Sequence, residues 1–239
     1  MARKGGRRHV KRMAAPKSWG IKRKQAKWAI KPKPGRHTTS GSVALTTLLR
    51  DMIGIVTSSR EAGKILKSGN VMVDGKPARD GKLAVGFMDV VSLPAIGKHY
   101  RVMLNRLGRL SAVEISAEQS KFKLCKVVGK TAVRGGKVQL NLHDSRNMVS
   151  TQKASTGDVL KVTLPDQNVL DVLEYKDGNV ALVIKGKHSG HVGTIFSITR
   201  GTATSPGMAS IASKDAKVTA PKEYVFVIGR KEPEVMLAD

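Results

Sequence analysis

Beyond residue 93 the chain is built from short runs that alternate apolar with polar positions. YRVMLN, FKLCKVV, KVQLNL and DVLKVTL are separated by Gly, Asn and Asp. Alternation of this kind puts one face of a strand in a core and the other toward water, so a β-rich unit is expected over residues 94–173. NVALVIKGKHSGHVGTIFSI, residues 179–198, reads as two apolar strands joined by a basic turn. EYVFVIG reads as a last strand, with GTATSPGMASIASKDAKVTAP before it as a low-complexity linker. The stretch from Ser111 to Ser120 admits a helix.

Before residue 93 the period changes. From Val43, the sequence VALTTLLRDMIGI puts Leu45, Leu48, Leu49, Met52 and Ile53 on one face of a first helix. A second follows: Ser58 and Glu61 have capping-box spacing, Ala62, Ile65 and Leu66 form the apolar stripe, and Gly69 sits where a left-handed C-cap belongs. Val71 and Val73 then alternate with Met72 toward Asp74-Gly75, a tight-hairpin signal before Lys76.

Charge redraws this picture at the N-terminus. The 239 residues carry 43 Lys plus Arg against 18 Asp plus Glu, a formal net charge of +25. The first acid is Asp51, so residues 1–50 hold +15 of that charge. Residues 1–41 show no sustained apolar period and are expected to be a basic arm that is disordered when free and orders on a polyanion. Trp19 and Trp28 suggest that it docks. No apolar run is long enough to span a bilayer, and the start lacks a secretory pattern, so a phosphate backbone in the cytoplasm is the expected partner. Aromatics make up only 4%, which leaves base stacking on Phe or Tyr a minor mode. The lone cysteine, Cys125, excludes an internal disulfide and reads as a small buried residue.

On the second helix Arg60, Lys64 and Lys67 recur at spacings four and three, opposite the apolar stripe. Lys76 and Arg79 continue that cationic surface on the hairpin. The stretch TSSREAGKILKSGNVMVDGK, residues 57–76, resembles the S-four type RNA-binding motif, with Gly69, Val71, Val73, Asp74 and Gly75 matching in order. Residues 179–198 are similar to a KOW motif, its glycine being Gly190 or Gly193 and its basic turn Lys185, Lys187 and His188. Together with HVKRMAAPKSWGIKRK, GFMDVVSL, QLNLHD and YVFVIG, these segments in this order resemble the small-subunit ribosomal protein S-four-e family of archaea and eukaryotes. The chain departs from that family's usual His-Asp-Gly at His143, Asp144 and Ser145.

The resemblance implies an α+β multidomain protein. Its parts would be the arm (1–41), an S-four-like helix pair with a small sheet (42–93), a β-rich central domain (94–173) and an SH3-like KOW barrel (174–239). It also implies a structural ribosomal constituent that binds small-subunit rRNA and neighbouring small-subunit proteins, with no small-molecule substrate. No cofactor is implied beyond rRNA-associated Mg²⁺. The residues expected to meet RNA are Arg3, Lys4, Arg7, Arg8, Lys11, Arg12, Lys17, Trp19, Lys22, Arg23 and Lys24 in the arm, Arg60, Lys64, Lys67, Lys76 and Arg79 in the next unit, and Lys185, Lys187 and His188 in the turn.

Enzyme readings find little support. Gly108-Arg109-Leu110 begins the G-R-L-D motif of pseudouridine synthases, but Ser111 stands where the aspartate nucleophile belongs. His143, Asp144 and Ser145 are adjacent in sequence, unlike a spatial triad. His188 and His191 have no third metal ligand in view. Gly129-Lys130-Thr131 and Gly186-Lys187 lack the glycine that opens a phosphate-binding loop. A free-standing KOW regulator of transcription or translation is the other reading, and the long acid-free arm argues against it.

Overall fold

The computed structural model describes residues 9–150, 153–202, 204–213 and 217–238. Arg3, Lys4, Arg7 and Arg8 lie outside them. In chain order the strands and helices are β1 (Val10–Lys11), β2 (Trp28–Ala29), β3 (Ser42–Ala44), α1 (Leu45–Thr47), α2 (Ser59–Lys67), β4 (Met72–Val73), β5 (Lys76–Pro77), β6 (Ala84–Gly86), β7 (Val90–Leu93), β8 (Lys98–Leu104) and β9 (Leu110–Ile115). There follow β10 (Phe122–Val133), β11 (Lys137–Leu142), β12 (Asn147–Ser150), β13 (Val159–Thr163), β14 (Val169–Leu173), β15 (Val180–Val183), β16 (Val192–Thr199), β17 (Met208–Ala212), β18 (Lys217–Pro221) and β19 (Val225–Gly229). Three five-stranded antiparallel sheets result, in the orders β5-β4-β7-β8-β9, β12-β11-β10-β13-β14 and β18-β17-β16-β15-β19, with two small ladders, β1-β2 and β3-β6.

The second helix forms as its caps require. The Ser58 hydroxyl accepts from the Glu61 N–H at 3.1 Å, the Glu61 carboxylate accepts from the Thr57 N–H at 2.9 Å, and Gly69 takes φ +79°. Ala62 and Leu66 are fully buried, the leucine contributing about 1.5–3 kcal/mol of apolar burial. Asp74 and Gly75 both take positive φ, as a two-residue hairpin between Val73 and Lys76 demands. Cys125 is buried and unpaired.

Apart from the arm, five expectations need correction. The first helix starts late, because Val43 and Ala44 pair with Val85 and Ala84 as a strand; α1 then runs on as a π-helical turn over Leu48–Ile53. Ser111–Ser120 opens as strand: Leu110 to Ile115 pair with β8, and only a short 3₁₀ turn follows at Gln119–Lys121. The sheet containing β7 runs through β8 and β9, so an expected boundary after residue 93 falls between two paired strands. The linker holds β17 and β18, whose apolar residues Ala209, Ile211, Val218 and Ala220 pack inward. Finally, the outer strands β18 and β19 share no ladder among the described residues, so hydrogen bonding does not close the third sheet into a barrel.

The arm differs most from its expectation, because residues 9–41 are folded against the first sheet. Ala15, Trp19 and Ile21 enter the main core. The Trp19 indole donates to the Thr39 carbonyl at 3.1 Å, and the Leu110 N–H donates to the Ser18 carbonyl at 2.7 Å. A segment too polar to build its own core has borrowed another's.

Candidate nucleic-acid interface

The expected RNA-facing residues fall into two groups. Lys11, Lys17, Lys22 and Lys24 are exposed on the arm, Arg60, Lys64 and Lys67 on one face of α2, Lys76 and Arg79 on the hairpin, and Lys185 and Lys187 on the turn before β16. Arg12 and Trp19 are buried instead. The Arg12 guanidinium donates to Asp51 at 2.7 Å and to the Lys22 carbonyl at 2.6 Å. Burial alone would raise the Asp51 carboxyl, but Arg50 and Arg12 outweigh it and hold it below the ordinary range. Arg23 is half-buried and donates to the Met13 and Ala15 carbonyls, both at 3.1 Å. Arg12, Trp19 and Arg23 therefore fold the arm. His188 is half-buried beside His191, with ring centroids 5.6 Å apart.

The largest surface missed by residue pattern is the β10–β11 hairpin. Every residue from Lys130 to Val138 is exposed, and Gly135 and Gly136 turn the tip with positive φ. Lys130, Arg134 and Lys137 lie on this projecting ribbon, which carries no acid. The signal was the loss of alternation after Val128: TAVRGGKV keeps β-propensity without an inward-facing apolar set.

At the other end of β10 lies a buried ionic junction. The Lys123 ammonium is fully buried and donates to Asp89 at 2.5 Å, Asp144 at 3.0 Å and Asp74 at 3.3 Å. Arg36 and Arg146 pair with Asp74, Arg146 also reaches Asp144, and His37 bonds Asp89 at 2.9 Å. Burial would lower the Lys123 ammonium, but the carboxylates, Asp89 foremost, reverse this and raise it. Burial likewise opposes ionisation of Asp89 and Asp144, yet Lys123 above all holds both below the ordinary carboxylate range. One ion network thus ties the arm, the first sheet and the second sheet together.

Two neighbours extend the junction. Lys126 donates to the carbonyls of Lys222, Glu223 and Val225 at 2.8, 3.0 and 2.6 Å, joining the second sheet to the third; burial lowers its ammonium to about 8. The His143 ring packs edge-on against Phe87 and Phe226, and burial, with Lys123 adding to it, lowers its pKa to about 4. It is neutral at pH 7, with Nδ1 accepting from the Lys126 N–H at 3.2 Å.

Above this junction opens a cleft of about 900 Å³, bounded by the arm, the β8–β9 turn, β10 and the turn before β16. Close glycine approaches lock the two turns together. A Cβ on Gly190 would lie 2.2 Å from the Asn105 carbonyl oxygen, and one on Gly108 2.7 Å from the Ser189 side chain.

Comparison with known proteins shows the family to which the chain belongs. Residues 4–40 match the RS4NT domain model, and residues 96–169 match the model of Ribosomal family S4e. Small ribosomal subunit protein eS4 of Methanothermobacter thermautotrophicus is 42% identical over 238 residues, covering 99% of this chain and 98% of that protein. The chain belongs to the ribosomal S4e family. The eS4 protein of Methanocaldococcus jannaschii is 40% identical over 247 residues, covering 99% and 100%. The crystal structure of the 30S ribosomal protein S4e from Thermoplasma acidophilum aligns with a TM-score of 0.69 at 35% identity, covering 79% of this chain and 95% of that one.

S4e proteins are structural ribosomal proteins and not enzymes, and the motifs that resembled catalytic ones have other work here. Gly108 and Arg109 lie in the β8–β9 turn, Gly108 taking φ +68°, and Leu110 opens β9. Ser145, where the family usually has glycine, keeps the left-handed conformation at φ +59°, and its hydroxyl donates to the Arg36 carbonyl at 2.9 Å. Cys125, His143 and Asp144 bring donor atoms within 4.8 Å of one another, but these donors fit a metal poorly. Asp144 holds Lys123, His143 accepts from Lys126, and burial pushes the Cys125 thiol up to about 12. Among the described residues no helix is long and apolar enough to cross a membrane.

Proposed function

We propose that the chain is a structural constituent of the small ribosomal subunit, binding and stabilising folded small-subunit rRNA through phosphate and ribose contacts. The observation that carries this is the match, over essentially the whole chain, to relatives named small ribosomal subunit protein eS4. The arrangement of cations supports it. Among the described residues, positive side chains with no ion-pair partner stand on α2, on the β10–β11 hairpin and on the turn before β16, whereas the buried cations are held by carboxylates or carbonyls. Such an arrangement places a rigid set of point charges against a folded polyanion and contributes affinity that falls steeply with salt.

In this reading four contact regions act together: the arm, the α2 face with its S-four-like hairpin, the central hairpin, and the KOW-like turn. Neighbouring ribosomal proteins would cover exposed apolar side chains such as Phe196 and Leu170. The protein's place is then in the ribosome, in the cytoplasm, without a cofactor beyond Mg²⁺ carried by the rRNA.

Cosedimentation through high-salt sucrose tests the reading. The full chain is expected with small subunits, and a chain found only in the free pool would overturn it. Replacing Arg60, Lys64 and Lys67 with Ala is expected to flatten the salt dependence of RNA binding by about one unit per lost phosphate contact, with the far-UV CD spectrum unchanged.

A further inference from the structure

We propose that the cleft above the ionic junction seats an unpaired RNA nucleotide, its base inward and its phosphate at the mouth. The inference rests on the rRNA-binding reading and deepens it by naming what one site receives.

Size is the first ground. A space of about 900 Å³ lies in the range that encloses small organic ligands, roughly 300–1,000 Å³, and is far too small for a double helix. Charge is the second. Among the described residues Glu223 is the single acid on the lining, and Lys17, Arg109 and Lys185 stand exposed on it without a carboxylate partner. They come from three separate segments, so their convergence on one opening is a product of the fold and gives a phosphate several donors at once.

The wall supplies the third ground. Leu104, Leu107 and Ile184 make it apolar, and the rings of Phe87 and His143 lie on it. An unstacked base requires such a surface, since its faces are apolar and lose their stacking partners when the nucleotide leaves a helix. The neutral state of His143 keeps its own ring free of a charge that would hold water against it. The Ser189 hydroxyl on the lining is then placed to meet base edges or the ribose.

The cleft exists only with the arm docked, because Lys17 and Ser18 form one side and the Ser18–Leu110 hydrogen bond fixes that side to β9. The nucleotide would therefore be held between segments far apart in sequence.

Photo-crosslinking of the full chain to a thiouridine-containing single-stranded RNA of about six nucleotides tests this, with an RNA duplex of the same length as the comparison. Crosslinks are expected in residues 104–110 and 184–189. Thr156→Trp, which fills the cleft without changing charge, is expected to weaken single-strand binding at least tenfold and leave duplex binding unchanged. Should that variant misfold by CD, Leu107→Ser, which removes part of the apolar wall without changing charge, is expected to give the same selective loss. Crosslinks confined to α2 and the arm, with single-strand binding intact in a folded variant, would overturn the cleft and leave rRNA binding standing. Failure of the unmodified chain to bind either RNA would overturn both.

Discussion

Strand β10 carries the same kind of residue at its two ends to opposite effect. At its start Lys123 and Lys126 are buried, one within three carboxylates and the other within three carbonyls. At its end Lys130 and, just past it, Arg134 stand in water on a ribbon with no core beneath it. A lysine buried alone would lose its proton or unfold the chain; one buried among carboxylates becomes a joint. On this strand the surroundings brought by other segments decide whether a cation is structure or interface.

Removing the joint is expected to have the largest effect. Lys123→Met leaves Asp74, Asp89 and Asp144 crowded in the interior with Arg36 and Arg146 as their remaining strong cations, and should destabilise the chain by about 3–5 kcal/mol in urea unfolding. Near-normal stability would show that the carboxylates take up protons without strain.

Acid is expected to loosen the same end of the strand in two stages. Because His143 titrates near 4 when folded, an unfolded chain binds the extra proton between about pH 6.5 and 4, and stability falls as pH falls through that window. The loss should be about 1–2 kcal/mol, below the full linkage value because the residue is not wholly shielded from solvent. The junction carboxylates, held low, give up their contribution only below about pH 4. Urea midpoints measured from pH 7 to 4.5 should show the first stage in the native chain and its absence in His143→Gln.

At the far end the effect on stability should be smallest. Lys130→Ser, Arg134→Ser and Lys137→Ser together are expected to change stability by no more than about 0.5 kcal/mol, while reducing the salt slope of RNA binding by up to about three units. A large loss of stability would mean that the ribbon is part of a core after all.

These two ends also mark what could be read from residues alone. The capping box of α2, the Asp74-Gly75 turn, the alternating runs of β8, β10, β11 and β13 and the apolar run of β19 are local signals, and the fold keeps them. The Lys123 junction is nonlocal. Its partners lie in Asp-Gly, Met-Asp-Val and His-Asp-Ser contexts that each read as an ordinary turn, and nothing in FKLCKVV distinguishes Lys123 from a lysine facing water. Charge density misled in the arm for the same reason: Arg12 finds Asp51 39 residues away, and Trp19 finds a core built by other segments. Ser111–Ser120 failed locally, since LSAVEI suits a helix or a strand and only pairing with β8 decides.

The bonds from Lys126 to Lys222, Glu223 and Val225 set an order of events during synthesis. Residues 9–173 can emerge from the ribosome and pair their own strands, but the carbonyls that surround Lys126, and the Lys222 side of the cleft, arrive about a hundred residues later. A nascent chain halted before residue 222 would present its basic surfaces with this seam open. The completed chain and the interrupted one would thus differ in whether the second and third sheets are joined at Lys126.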